Sequence, residues 1–380
     1  MKIAYVTPYK STDILSWSGL GFYIAQSLKE QAIEIKYIDS LREKYSVLFK
    51  AKKAFYLLLK KRYLLDREPV IIKDYANQVY KRLSQTNVDL VFSTGTIPIA
   101  YLDCQQPIVI WSDCTFAGMV DFYPYTSNLC QETLNHGNVM ESFALQKCKL
   151  AIFASEWAAQ TAIDHYKIDP IKVKVVPFGA NIECHRSLNE IKMIIEKRPP
   201  NKCKLLFIGV DWFRKGGNIA LEVAKALNKS GLPTELTIVG CKPIVKEPLP
   251  NFVKSLGFIS KSSEEGKQKI ADLLAESHFL ILPSQSECFG VVFCEASSFG
   301  VPCLATQVGG IPTAVRDNFN GKLFALDANI SEYCHYISDL FTHYSDYKKL
   351  ALSAFDEYHS RLNWSVAGKT VKNLLMDILS

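Results

Sequence analysis

Short apolar runs recur along the whole chain, at residues 2–7, 35–38, 88–92, 108–111, 150–154 and 173–176 and again at 204–209, 235–240, 279–282 and 302–306. Most are followed by Gly, Pro, Ser, Thr or Asp, and the segments between them carry apolar residues at helical spacing. An unbroken apolar run suits a strand buried on both faces, and its alternation with helices predicts parallel sheets covered on each side. In such sheets ligands bind beyond the carboxyl ends of the strands. The turns that matter are therefore Ser18-Gly19, Thr94-Gly95-Thr96, Ser112-Asp113, Val210 through Gly217, and Ser284 through Gly290.

Two stretches interrupt this rhythm. In residues 47–63, Val47, Leu48, Ala51, Phe55, Leu58 and Leu59 fall on one side of a helix, with Lys50, Lys53, Lys60 and Lys61 on another. The ordinary reading packs the apolar side on the core and leaves the lysines to water. A basic amphipathic helix also suits an anionic membrane surface. Residues 183–202 are polar and contain Pro199-Pro200, which predicts a linker. The chain then divides into domains at 1–195 and 196–360, with an amphipathic helix over 361–380.

Length and composition agree with this division. The 380 residues suffice for two cores, and 48% hydrophobic with 22% charged residues describes a globular protein. A net charge of +6 is too mild to call for nucleic acid as a partner. The eleven cysteines are scattered and form no C-x-x-C pair, which predicts buried thiols in a reducing compartment. No apolar stretch approaches ~18 residues, and Met1-Lys2-Ile3 leads straight into a strand. A cytoplasmic location is expected, with peripheral contact at the inner membrane face left open by the 47–63 helix.

The chemistry concentrates in residues 280–300. An apolar run closed by Pro283, a polar loop and a helix restarting near Phe289 or Gly290 build an anion site, because first-turn N–H groups lack carbonyl partners. Phe289, Gly290 and Val291 are positioned to donate there. Glu287 stands on the loop and Glu295 along the helix, suited to hydroxyl groups at two ends of one ligand. Their alternative roles are a solvated loop charge and a partner of the helix dipole. Earlier, Arg214 and Lys215 followed by Gly216-Gly217 form a diphosphate grip beyond a strand, where a surface basic pair is the alternative.

Pro283-Ser284, Glu287, Phe289-Gly290, then Glu295-Ala296, Gly300 and Pro302 resemble the E-x7-E motif of family 4 retaining glycosyltransferases. Arg214-Lys215-Gly216 resembles the family's R-K-G segment, although the Arg that relatives often carry just after the strand glycine is replaced by Val210-Asp211. Ser18-Gly19-Leu20-Gly21-Phe22-Tyr23 resembles its G-G-x-G-x-Y turn, with Ser18 replacing the first Gly.

The resemblance implies an α/β fold of two facing Rossmann-like domains (GT-B) with a cleft between them, the C-terminal helix returning to the first domain. It implies that Glu287 contacts the donor sugar, Glu295 the ribose, and the segment around Phe258 the base. Arg214 and Lys215 would stabilise the departing diphosphate, and Gly19 would let the donor approach. Asp113 lies where relatives carry a His or His-Asp pair near sugar and acceptor; capping the following segment is its alternative role.

The implied reaction moves a sugar, with retention, from a UDP- or GDP-linked donor to the hydroxyl of a small molecule, glycan or lipid-linked acceptor. No cofactor or metal is required, since no D-x-D stands where a metal-bridged diphosphate would need it. A nucleotide-sugar 2-epimerase of the same architecture is the alternative. A dinucleotide oxidoreductase is disfavoured by the absence of a G-x-G-x-x-G turn.

Overall fold

The computed structural model describes residues 1–182 and 186–380. Its contacts separate into two units, residues 1–177 with 364–380 and residues 178–363. The first unit holds β1 (Lys2–Val6), β2 (Glu34–Ile38), β3 (Leu90–Ser93), β4 (Ile108–Ser112), β5 (Leu150–Phe153) and β6 (Val173–Val175). They form one parallel sheet in the order β2-β1-β3-β4-β5-β6. Every residue of β3, β4 and β5 is buried, which is why their sequences read as continuous apolar runs.

The helices of this unit are α1 (Leu20–Glu30), α2 (Ser46–Leu58), α3 (Pro69–Leu83), α4 (Phe116–Met119), α5 (Gln131–Lys147) and α6 (Glu156–Tyr166). The carboxyl-terminal helix, Trp364–Leu379, packs on α1. Gly368 makes the close approach possible, since a Cβ there would lie 2.6 Å from the Ser27 carbonyl oxygen. Trp364 stacks on Tyr23 at 6.1 Å and meets Trp111 edge-on at 5.8 Å.

Helix α2 departs from the ordinary reading of its pattern. Its inward side is not the apolar side: Tyr45 and Phe49 pack on the core, while Lys52 pairs with Glu68 at 3.7 Å and with Glu132. Tyr56 donates to Glu132 at 2.9 Å. Because these four positions face the unit, Val47, Leu48, Phe55, Leu58 and Leu59 are left exposed.

The second unit contains β7 (Cys203–Ile208), β8 (Thr234–Val239), β9 (Val253–Gly257), β10 (Phe279–Leu282), β11 (Cys303–Thr306) and β12 (Gly321–Phe324). Again all are parallel, in the order β12-β11-β10-β7-β8-β9. Its helices are α7 (Leu188–Glu196), α8 (Gly217–Lys229), α9 (Glu264–Glu276), α10 (Val291–Ser297), α11 (Ile311–Ala314), α12 (Ile330–Thr342) and α13 (Tyr344–Arg361), so that Trp364–Leu379 is α14.

The polar stretch expected to link two domains instead contains α7, which packs on α13 and α9 within the second unit. Ser187 and Glu190 cap it reciprocally, and Ile191 and Ile195, one turn apart, are buried at a gain of roughly 1.5–3 kcal/mol each. Just beyond it, buried Arg198 donates to the carbonyl oxygens of Ala275, Phe299 and Gly300. Residues 183–185, at the start of the expected linker, lie outside the described residues. The contacts place the passage between units at Pro177–Phe178, and the return at Asn363–Trp364.

Both sheets share a feature that locates a site. In the second, the chain leaves β7 for β8 on one side and later returns to β10 on the other, so strand order reverses between β7 and β10. The first sheet reverses between β1 and β3. A crevice opens outside the carboxyl ends of the strands at such a reversal, because the two flanking connections run to opposite sides.

Candidate active site

In the second unit, the loops after β7, β10 and β11 are tied together at that reversal. The Gln285 N–H donates to the Arg214 carbonyl at 2.7 Å and the Gly310 N–H to the Glu287 carbonyl at 3.0 Å. Thr306 Oγ1 donates to the Ser284 carbonyl. Gly216, the residue before α8, has φ +76°, and any Cβ there would sit 2.2 Å from the Pro283 carbonyl oxygen. The two chains approach this closely only because residue 216 has no side chain.

On this scaffold Arg214, Lys215 and Glu287 converge. Lys215 Nζ contacts Glu287 Oε2 directly, and Arg214 Nη1 lies 3.9 Å from the same oxygen. Arg214 also donates from Nη1 to the Ser286 carbonyl at 3.0 Å, while its backbone N–H donates to Asp211 Oδ1 at 3.0 Å. Two cations thus share the Glu287 carboxylate, and Arg214 Nε also lies 3.8 Å from Asp211 Oδ2, so two cations and two carboxylates meet at the carboxyl edge of the sheet. The basic pair is not a solvated surface feature, since all three side chains are largely buried.

Gly290 follows with φ +86° and precedes α10, whose first turn has no side-chain cap. A Cβ at 290 would lie 2.5 Å from the Phe293 ring and 3.2 Å from Glu287 Cγ, so glycine keeps the carboxylate in place. Helix α10 has seven residues, which limits what its dipole adds. The Phe289 side chain is buried against Phe178, at 5.4 Å between ring centroids, leaving its backbone as the group to offer a ligand. Val291 is half-buried.

Glu295 is 2% exposed and paired with Lys261, whose Nζ lies 2.5 Å from Oε1. Each glutamate therefore has its own lysine. Lys261 belongs to the loop after β9 and has no place in the motifs; the contact spans 34 residues of sequence. Phe258, three positions earlier in that loop, is exposed. It stands after β9, two strands from β7.

In the first unit, Gly19 has φ +81° and ends a turn in which Trp17 and Ser18 also take left-handed conformations. Ser18 occupies that region without glycine's freedom. Trp17 Nε1 donates to Asp113 Oδ2 at 3.1 Å, joining the turn after β1 to the carboxyl end of β4. The N-cap of α4 is Thr115, which accepts from the Gly118 N–H, rather than Asp113. Tyr9 lies in the same loop, where burial raises its phenol above the ordinary range. The Trp17–Asp113 contact crosses 96 residues and has no local signature.

Glu68, Glu132 and His136 form a group with metal-ligand types close together, apart from these loops. The ammonium of Lys52 already sits among them.

The model of the family described as glycosyl transferases group 1 matches residues 189–355, within the second unit. A D-inositol 3-phosphate glycosyltransferase of Streptomyces coelicolor is 29% identical over 194 residues, covering 43% of this chain and 42% of the relative. One of Gordonia bronchialis is 27% identical over 184 residues, covering 44% and 40%. The chain thus spans about two fifths of the length of these curated relatives.

Among solved structures, a glycosyltransferase of Rickettsia africae superposes with a TM-score of 0.68 at 17% identity, covering 100% of this chain and 98% of the other. Alr3699/HepE of Anabaena in complex with UDP-glucose superposes with a TM-score of 0.62 at 17% identity, covering 99% and 100%. The fold is accordingly of the GT-B type, with two Rossmann-like domains.

Proposed function

We propose that this chain is a glycosyltransferase that moves a sugar from a nucleoside diphosphate donor to an acceptor hydroxyl, with retention of anomeric configuration and without a metal. The observation that carries the proposal is the meeting of Arg214 and Lys215 with Glu287 at the strand-order reversal of the second sheet. A nucleoside diphosphate gains negative charge as the bond to the sugar breaks, and fixed cations stabilise that charge more than they stabilise the intact donor. Arg214 and Lys215 serve this role here, with the uncapped N–H groups after Gly290 adding donors.

In this reading Glu287 accepts from sugar hydroxyls and Glu295 from the ribose, leaving neither as a nucleophile. The acceptor oxygen attacks the anomeric carbon on the leaving-group side while the phosphate oxygen departs and takes the acceptor proton. Phe258 offers its exposed ring to the base. Gly19 and Asp113, in the first unit, serve the donor sugar and the acceptor. The match of the second unit to a transferase family and the UDP-glucose in the HepE complex support this assignment over an epimerase.

The test is a thermal-shift panel of UDP- and GDP-linked sugars, followed by product analysis with the best binder. Transfer to an acceptor with the anomeric configuration kept is the expected result. Conversion of donor without acceptor, or a sugar trapped on Glu287, would exclude it.

Lys261 provides a second check. In the free protein it neutralises a carboxylate that is nearly out of reach of water, and in this reading the ribose hydroxyls replace it when the donor binds. Lys261→Met is expected to lower the melting temperature of the free protein, because a buried carboxylate loses its partner. The nucleotide-sugar-induced shift should become larger than in the wild type. An unchanged ligand-induced shift would show that Glu295 stays with Lys261 in the complex.

A further inference from the structure

Around α2 the residues sort into three faces. Tyr45, Phe49, Lys52 and Tyr56 look inward, Lys50 and Lys53 lie along one flank with exposed Leu57, and Val47, Leu48, Phe55 and Leu58 occupy the remaining arc, roughly 100° wide, while Leu59, Lys60 and Lys61 follow the end of the helix. That arc is open to solvent: Leu48 is 71% and Leu58 83% exposed. Residues 46–62 contain no Asp or Glu. Ion pairing through Lys52, with Tyr56 donating to the same Glu132, holds the helix in place, so its apolar side is not needed for folding.

We propose that this face docks on the surface of an anionic lipid bilayer, with α2 lying in the plane of the interface. The apolar arc enters the acyl boundary while the lysines, on flexible four-carbon stems, stay level with the phosphates. A second copy of the chain is a poor occupant. A two-fold contact through this helix would set the lysine flanks of both copies near each other with no acid between them. No helix among the described residues is long and apolar enough to cross a membrane, so the contact is one of surface binding.

The experiment is flotation of the full chain with vesicles of phosphatidylcholine containing phosphatidylglycerol, and with vesicles of phosphatidylcholine alone. The wild type should bind the anionic vesicles, less so as salt is raised, and bind the neutral ones weakly. Replacing Lys50, Lys53 and Lys60 with Gln should weaken binding roughly 100-fold, at about 1 kcal/mol per basic residue. Replacing Leu48, Phe55 and Leu58 with Gln should abolish it even at low salt.

Both variants should keep the wild-type melting temperature and nucleotide-sugar-induced shift, since the changed side chains are exposed; this readout is independent of the donor site. The inference is overturned if the wild type binds neither vesicle, or if the apolar variant binds as the wild type does. It is equally overturned if the apolar variant only dissociates an oligomer, which would assign the face to a second copy. The lysine variant, with every apolar residue intact, supplies an independent reading of the charge requirement.

Discussion

Lys215→Ala is expected to slow sugar transfer by about 10²-fold or more, the usual cost of losing one preorganised electrostatic stabiliser. Its Nζ contacts Glu287 and shares that carboxylate with Arg214, so its removal leaves a single cation at the strand-order reversal. The loss should fall on kcat more than on KM, because the charge that Lys215 meets develops only as the sugar departs. Lys215→Arg should recover part of the rate, limited by the fit of the stem: Lys215 Cγ lies 2.9 Å from where a Cβ on Gly209 would be, in close contact with that backbone. Steady-state kinetics with the donor identified by thermal shift reads all three forms. A Lys215→Ala enzyme with wild-type kcat and a raised KM would make the lysine a binding residue only.

Gly216→Ala should cost more in stability than any other conservative change at the site. Residue 216 sits at φ +76°, where a side chain is strained by roughly 1–2 kcal/mol. Its Cβ would also meet the Pro283 carbonyl oxygen at 2.2 Å, a backbone atom that cannot rotate away. Overpacking of this kind typically adds ~1–3 kcal/mol, for a total of roughly 2–5 kcal/mol. At about 2–4 °C per kcal/mol for a unit of this size, the melting temperature should fall by roughly 5–20 °C.

Gly231→Ala is the control, because its φ is +96° but no atom lies within 4 Å of its Cβ. It should show the conformational part alone, about 1 kcal/mol. Equal effects at 216 and 231 would mean that the loops after β7 and β10 are not held as closely as the structure has them. Displacement of Lys215, the next residue, should also lower the activity of any folded Gly216→Ala protein.

Burial makes the strands the most legible part of the fold in the sequence. Residues of β3, β4, β5 and β10 are buried on both faces, so their sequences are unbroken apolar runs. Strand β12, Gly321–Phe324, escapes this reading because it is a short edge strand with its two central residues half-buried. Helix α7 hides inside a polar stretch, although Ser187 with Glu190 and the Ile191–Ile195 spacing carry its signature. For α2, periodicity reveals that the helix has sides but not which side faces the core; Lys52, drawn inward by Glu68 and Glu132, decides it.

The site divides in the same way. Arg214, Lys215, Glu287 and Gly290 belong to compact segments whose loops fall at strand ends, and a strand, turn and helix can be read from a few adjacent residues. The partners that set the electrostatics cannot. Lys261 reaches Glu295, and Trp17 reaches Asp113, through tertiary contacts with no fixed spacing in sequence.

The most direct test of fixed positive charge acting on the leaving group is calorimetric titration of the free nucleoside diphosphate and of its sugar conjugate, into wild type and Lys215→Ala. The free diphosphate carries the charge that appears during transfer, and the conjugate does not. The wild type should bind the diphosphate more tightly than the conjugate, and Lys215→Ala should lose about tenfold of that preference, or ~1.4 kcal/mol. An equal loss of affinity for both ligands, leaving the preference intact, would contradict the account.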